Sequence, residues 1–188
     1  MEPNGRSASV YLIVGLPGAG KTTRAKALEL SESALRLTPD EWQIALFDYE
    51  NPPDKRDLVE GKLIEIGMRV AQLGTNVVFD FGFWSRDERS ALRWIASELG
   101  AHSTVVYLPI TPEEQRERIT HRFATVPEQT FSMSDAELAE WRTLFEPPDQ
   151  AELQGAHLPP VPPDYPTWSA WASARWPSLP ELIQNPVI

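Results

Sequence analysis

Gly15-Leu16-Pro17-Gly18-Ala19-Gly20-Lys21-Thr22 decides the reading of this chain. The stretch fits G-x-x-x-x-G-K-[ST], the spacing of a phosphate-binding loop. Val10 to Val14 precedes it, an apolar, β-branched run that reads as a buried parallel strand. Thr22 to Leu30 follows, rich in Ala, Leu, Lys and Glu, and reads as a helix. Strand, glycine loop and helix together are the context this motif needs. Amide groups at the start of a helix make a concave nest for phosphate oxygens. The expected nucleotide contacts are Gly15, Pro17, Gly18, Ala19, Gly20, Lys21, Thr22 and Thr23. Lys21 would reach the outer phosphates as a point charge, and the Thr22 hydroxyl would ligate magnesium.

Working outward, Ala34 to Leu37 is a short strand candidate that runs into Thr38-Pro39-Asp40-Glu41, a capping box. The box recurs at Ser85-Arg86-Asp87-Glu88, Thr111-Pro112-Glu113-Glu114 and Ser134-Asp135-Ala136-Glu137. The first three boxes each follow a strand candidate, the later two being 76–81 and 103–108. This alternation is the mark of an α/β fold with a parallel sheet and helices on its faces. Residues 51–54 read as a turn, and Leu58, Leu63, Ile66, Val70 and Leu73 recur at helical spacing, so a long helix is expected over about 55–73. Gly74 would end it. Four strands are evident and a fifth is not.

The chain has 188 residues, a net charge of −10, no cysteine and 18 prolines. That length suits one domain with a real core. The acidic balance argues against broad binding to nucleic acid or an anionic membrane. Without cysteine there is no disulfide, zinc–thiolate site or cysteine nucleophile. No apolar run reaches membrane-spanning length and residues 1–9 carry no signal core, which reads as a soluble, cytoplasmic protein. Residues 1–150 are expected to form the main domain, with a lid around 113–132. From about residue 146 prolines crowd the chain, with Trp168, Trp171 and Trp176 among them. Residues 151–188 are expected to be an extended tail, pinned to the same domain by those tryptophans.

Two acids bear on the chemistry. Asp80 interrupts an apolar strand at its carboxyl end, where it faces the ligand crevice of a parallel sheet and would help hold magnesium; the alternative is a structural cap for the turn 82–85. Asp40 lies in the first turn of a helix, where the helix dipole alone favours it, but a carboxylate there can also take the proton of an attacking hydroxyl. Arg118 and Arg122 project from one helix face and can either clamp a transferred phosphoryl group or pair with Glu113, Glu114 and Glu117. Arg86, Arg89 and Arg93 form a second cluster that either faces substrate or, as the leading reading, pairs on the surface with Glu88 and Glu98. The histidines show no metal-ligand spacing.

Residues 15–23, Leu37-Thr38-Pro39-Asp40-Glu41-Trp42, 78–84 and Phe145-Glu146-Pro147-Pro148-Asp149 resemble small bacterial AAA-type ATP-binding proteins of kinase-like build. Their broader relatives include chloramphenicol phosphotransferase, zeta toxins and polynucleotide 5′-kinase. The resemblance covers about residues 8–150. It implies a three-layer P-loop NTPase fold of the nucleoside-kinase kind, with strand order 2-3-1-4 and room for a fifth strand. It implies ATP or GTP with magnesium (Mg2+), and transfer of a phosphoryl group to a hydroxyl. Asp40 matches the relatives' catalytic base, and Arg118 and Arg122 match their lid arginines. One departure stands out: polynucleotide kinases usually carry arginine three residues after that aspartate, and here the residue is Gln43.

The leading expectation is a kinase acting on a small-molecule hydroxyl, on a sugar, nucleoside or antibiotic-like compound. The rivals are a P-loop regulator that hydrolyses nucleotide slowly or not at all, and a polynucleotide 5′-hydroxyl kinase.

Overall fold

The computed structural model describes residues 7–47, 53–125 and 133–183. Four parallel strands, β1 (Ser9–Val14), β2 (Leu35–Leu37), β3 (Val77–Gly82) and β4 (His102–Tyr107), lie in the order β2-β3-β1-β4. The helices are α1 (Lys21–Ser31), α2 (Pro39–Phe47), α3 (Pro53–Gln72), α4 (Arg86–Glu98), α5 (Pro112–Thr125), α6 (Asp135–Leu144), α7 (Gln150–Leu153) and α8 (Trp168–Arg175). The expected order 2-3-1-4 is therefore present, and there is no fifth strand among the described residues. In register, Leu12 sits opposite Phe79 on one side and Val105 on the other.

Strand alternation sorts the core into two layers. Val10, Leu12 and Val14 face one way, onto Phe79, Leu63, Ile64, Met68, Leu92 and Ile95. Ile13 and Val78 face the other way, onto Ala25 and Leu28 of α1. With α3 and α4 on one face and α1 on the other, the molecule has three layers. Because all four strands run the same way, their carboxyl ends open on a single edge. Residues 15–20, 38–40 and 83–85 meet there.

Helix α3 begins earlier than the periodicity suggested, at Pro53, and it is rotated from the expected face. Leu58, Ile66 and Leu73 are exposed, while Leu63, Ile64, Met68 and Ala71 are buried. Gly67 explains the rotation: a Cβ there would meet the Phe79 ring, at 2.6 Å from Cε1, so the helix lies directly on the sheet at that point. Part of the turn read at 51–54 lies outside the described residues. Gly74 ends the helix as expected, left-handed at φ 87°, with its N–H on the Ala71 carbonyl at 2.9 Å.

Three capping boxes form, at Ser85, Thr111 and Ser134. At the fourth, Thr38 and Glu41 both accept from the Arg36 guanidinium instead.

The proline-rich segment is not wholly extended. Thr167 accepts the Ala170 N–H at 3.0 Å and starts α8. This helix packs against α4, and Trp168, Ala172, Trp176 and Leu179 are buried in the main core. The three tryptophans form a chain of T-shaped contacts, with centroids 5.8 and 6.2 Å apart.

Candidate functional site

The loop 15–20 is held by its carbonyls. Lys21 Nζ donates to the Leu16 carbonyl at 3.1 Å, Gln115 Nε2 to Pro17 at 2.9 Å, and Arg118 Nη1 to Gly18 at 3.3 Å. Gln115 is buried, and Arg142 Nε donates to its Oε1 at 2.9 Å. A trans peptide sets N–H opposite C=O, so the Gly18 amide points away from α5 and toward the open side of the loop. At the root, the Gly15 amide donates to the Gly82 carbonyl at 3.1 Å, and a Cβ on Gly15 would stand 2.8 Å from the Leu108 carbonyl oxygen. Gly20, left-handed at φ 88°, precedes α1 without a side-chain cap, which leaves the first N–H groups of the helix available to an anion.

Asp80 comes from the centre of the sheet, and its side chain is 2% exposed. Neither carboxylate oxygen has a well-formed hydrogen bond among the described residues. Burial raises its pKa; the nearby Thr22 hydroxyl, Lys21 and Arg36 pull it down. Arg36 Nη1 stands 3.7 Å from Asp80 Oδ2, and Arg36 also pairs with Glu29 and Glu41. A buried carboxylate with unclaimed lone pairs is costly unless something else occupies them. Magnesium fits: it takes one or two protein oxygens and fills the rest of its shell with phosphate and water. Thr22 and Asp80 could supply two such oxygens. No cluster of three or more acidic, His or Cys ligands exists among the described residues.

Asp40 approaches from the end of β2. Its side chain is 58% exposed, and its Oδ1 accepts from Arg56 Nη1 at 2.9 Å. Lys21 links the groups. Burial lowers its pKa; the carboxylates of Asp80 and then Asp40 raise it, and Arg56 and Arg122 lower it again. The two acids, the loop lysine and Arg122 of α5 thus share one electrostatic neighbourhood at the carboxyl edge of the sheet. Arg118 is exposed on α5 and touches the loop. Residues 126–132 of the expected lid around 113–132 lie outside the described residues.

Of the arginines after β3, Arg86 is on the surface, whereas Arg89 and Arg93 are buried. Arg89 is fully buried, pairs with Glu152 and donates to the carbonyls of Phe83 and Trp84. Phe83 is a non-glycine residue at φ 37°, so Arg89 fixes a strained turn directly after Asp80. Arg93 donates to the Ala156 carbonyl at 2.8 Å, and Arg86 pairs with Asp149 at 3.5 Å. Glu88 pairs instead with Arg175 at 2.9 Å. Trp42 is 46% exposed. Sequence reasoning missed Arg36, Arg56, Gln115 and Arg142. Each works through a partner distant in the chain, which no local pattern reveals.

A parallel 2-3-1-4 sheet, a Lys–Thr phosphate loop and a strand-end aspartate define a P-loop NTPase of kinase-like fold. The sequence model of the AAA domain family matches residues 10–148, and the chain belongs to that family. No curated protein matches the chain. Among solved structures, the chain is similar to one from the Pnkp1/Rnl/Hen1 RNA repair complex, at 17% identity and TM-score 0.65, over 86% of this chain and 50% of that one. It thus spans about half the length of that relative. It is also similar to Chaetomium thermophilum Kti12 in complex with ADP-AlF3, at 17% identity and TM-score 0.61, over 91% and 99%. A gluconokinase from Sinorhizobium meliloti 1021 follows, at 18% identity and TM-score 0.55, over 79% and 81%. These likenesses establish the fold. No helix among the described residues is long and apolar enough to cross a membrane.

Proposed function

We propose that this chain is a kinase that moves the γ-phosphoryl group of ATP or GTP to a hydroxyl of a small molecule. Asp80 carries the reading, because this buried carboxylate, ion-paired with Arg36 at 3.7 Å, has no well-formed hydrogen bond among the described residues and stands near Thr22 and Lys21. The loop amides and Lys21 bind the phosphates. Thr22 and Asp80 hold magnesium, which supplies neutralising charge to the phosphate oxygens. Asp40 takes the proton of the acceptor hydroxyl as its oxygen bonds phosphorus and the bond to the leaving nucleoside diphosphate breaks. Arg118 and Arg122 stabilise charge on the group in flight.

Asp40→Asn should lower transfer by about 10²–10⁴-fold while nucleotide still binds. A screen of hydroxyl compounds with γ-labelled ATP, followed by calorimetric titration of the nucleotide, measures both. Undiminished turnover in the variant removes Asp40 from this role.

One observation favours a second reading. The Asp40 carboxylate is more than half exposed, as it would be in a slow nucleotide-hydrolysing regulator that needs no walled acceptor pocket. Water would then serve as the acceptor, and no compound in the screen would be labelled above the hydrolysis rate. Gln43 bears on the nucleic-acid alternative: its Oε1 accepts from Arg56 Nη1 at 3.4 Å, so a guanidinium stands beside position 43 after all. Phosphorylation of a 5′-hydroxyl oligonucleotide in the same screen, lost steeply with salt, would favour that acceptor.

A further inference from the structure

We infer that the C-terminal segment is a positioning element for the reaction: Trp176 acts through Glu60 and Arg56 to fix the carboxylate of Asp40. The inference rests on the proposed role of Asp40.

The chain of contacts is continuous. Trp176 Nε1 donates to Glu60 Oε2 at 3.0 Å. Glu60 Oε1 accepts from Arg56 Nε at 2.8 Å, one helical turn back along α3. Arg56 Nη1 then reaches across to α2, where Asp40 Oδ1 and Gln43 Oε1 accept from it at 2.9 and 3.4 Å. The guanidinium fork engages both neighbours from fixed directions, which sets orientation as well as charge.

The far end of this chain is anchored by packing. Trp176 has no exposed surface, and the Glu60 side chain is 9% exposed. Gly61, next to Glu60, makes the seat. A methyl group there would run into Ser178 Oγ, would stand 2.9 Å from the Leu179 amide nitrogen and 3.2 Å from Trp176 Cβ. Glycine inside a helix is less stable than alanine, so this position gives up helix stability to admit the tail. Ser178 Oγ donates to the Leu58 carbonyl, and Arg175 Nη1 pairs with Asp57 at 2.8 Å, which hold the segment along the same turns of α3. Asp40 is more than half exposed, and in the first turn of α2 nothing about its backbone fixes where its carboxylate points. Arg56 supplies that direction, and Trp176 holds Glu60 against Arg56.

The test compares binding of magnesium–ADP with that of magnesium–ADP–aluminium fluoride, which mimics the group in flight with water in the acceptor's place. The full chain is used with Asp40→Asn, Trp176→Phe, Glu60→Gln and the double variant Asp40→Asn/Trp176→Phe. Trp176→Phe keeps the ring and removes the N–H. Glu60→Gln keeps an acceptor for Trp176 and removes the charge that holds Arg56, so it serves if Trp176→Phe fails to fold. All variants should bind ADP as the unaltered chain does. Trp176→Phe and Glu60→Gln should each weaken binding of the fluoride complex by about tenfold or more, since small misplacements near the chemistry are that costly. The double variant should bind it no worse than Asp40→Asn alone. Equal loss for both ligands, no loss, or additive losses overturn the inference. Unchanged fluoride binding in Asp40→Asn refutes the role of Asp40 itself, and this inference with it.

Discussion

The two flanks of the crevice are built differently. The phosphate flank is a backbone structure whose carbonyls are pinned by Lys21, Gln115 and Arg118. The opposite flank is built from side chains: Arg56, Glu60 and Trp176 lead to Asp40, and Arg89 and Glu152 brace the turn after Asp80. The difference teaches that a single motif can specify one half of a site while the other half depends on residues brought from across the chain.

Breaking the second flank should cost most. Glu152→Ala leaves Arg89 buried without its counter-ion, and loss of one partner of a buried pair costs about 3–5 kcal/mol. Urea unfolding measures this; a cost below about 1 kcal/mol, the range of surface pairs, would mean the brace is dispensable. On the first flank, Gln115→Ala strips the Pro17 carbonyl and Arg142 of a shared partner. The expected cost is about 1–3 kcal/mol, read as weaker ADP binding alongside a modest fall in unfolding free energy. Unaltered ADP affinity would show that the loop keeps its shape without α5.

The smallest effect sharpens the contrast. Burial raises the Glu60 carboxyl pKa, against the pull of Arg56 and the Trp176 N–H. A raised carboxyl contributes stability that is fully present below its unfolded-state pKa and is lost as pH rises through the folded one. Glu60→Gln removes that loss. The stability difference between variant and unaltered chain should therefore move in the variant's favour as pH rises above about 4.3, the ordinary glutamate value, by urea unfolding at each pH. A constant difference would mean that Arg56 offsets the burial in full.

What the sequence made legible follows the same division. Residues 15–22, the strand around Asp80 and three of the four capping boxes are local patterns, with periodicity and turn chemistry contained in a few residues. They were enough to place both acids at the carboxyl edge. Arg56 was invisible because Asp40 and Gln43 lie on another helix, and the Glu60 that holds it is itself bonded from far along the chain by Trp176. The face of α3 was misjudged because Gly61 and Gly67 set it by what they lack. Helix α8 was missed because proline density outweighed the Thr167 cap.

The Arg89–Glu152 pair carries one more consequence. The family match ends at residue 148, and the counter-ion of Arg89 stands at 152. The region that kinship defines is thus not self-sufficient: trimmed to its shared residues, it would entomb a lone cation. Burying an arginine at 89 therefore calls for the stretch beyond 150, or for another acid to answer it.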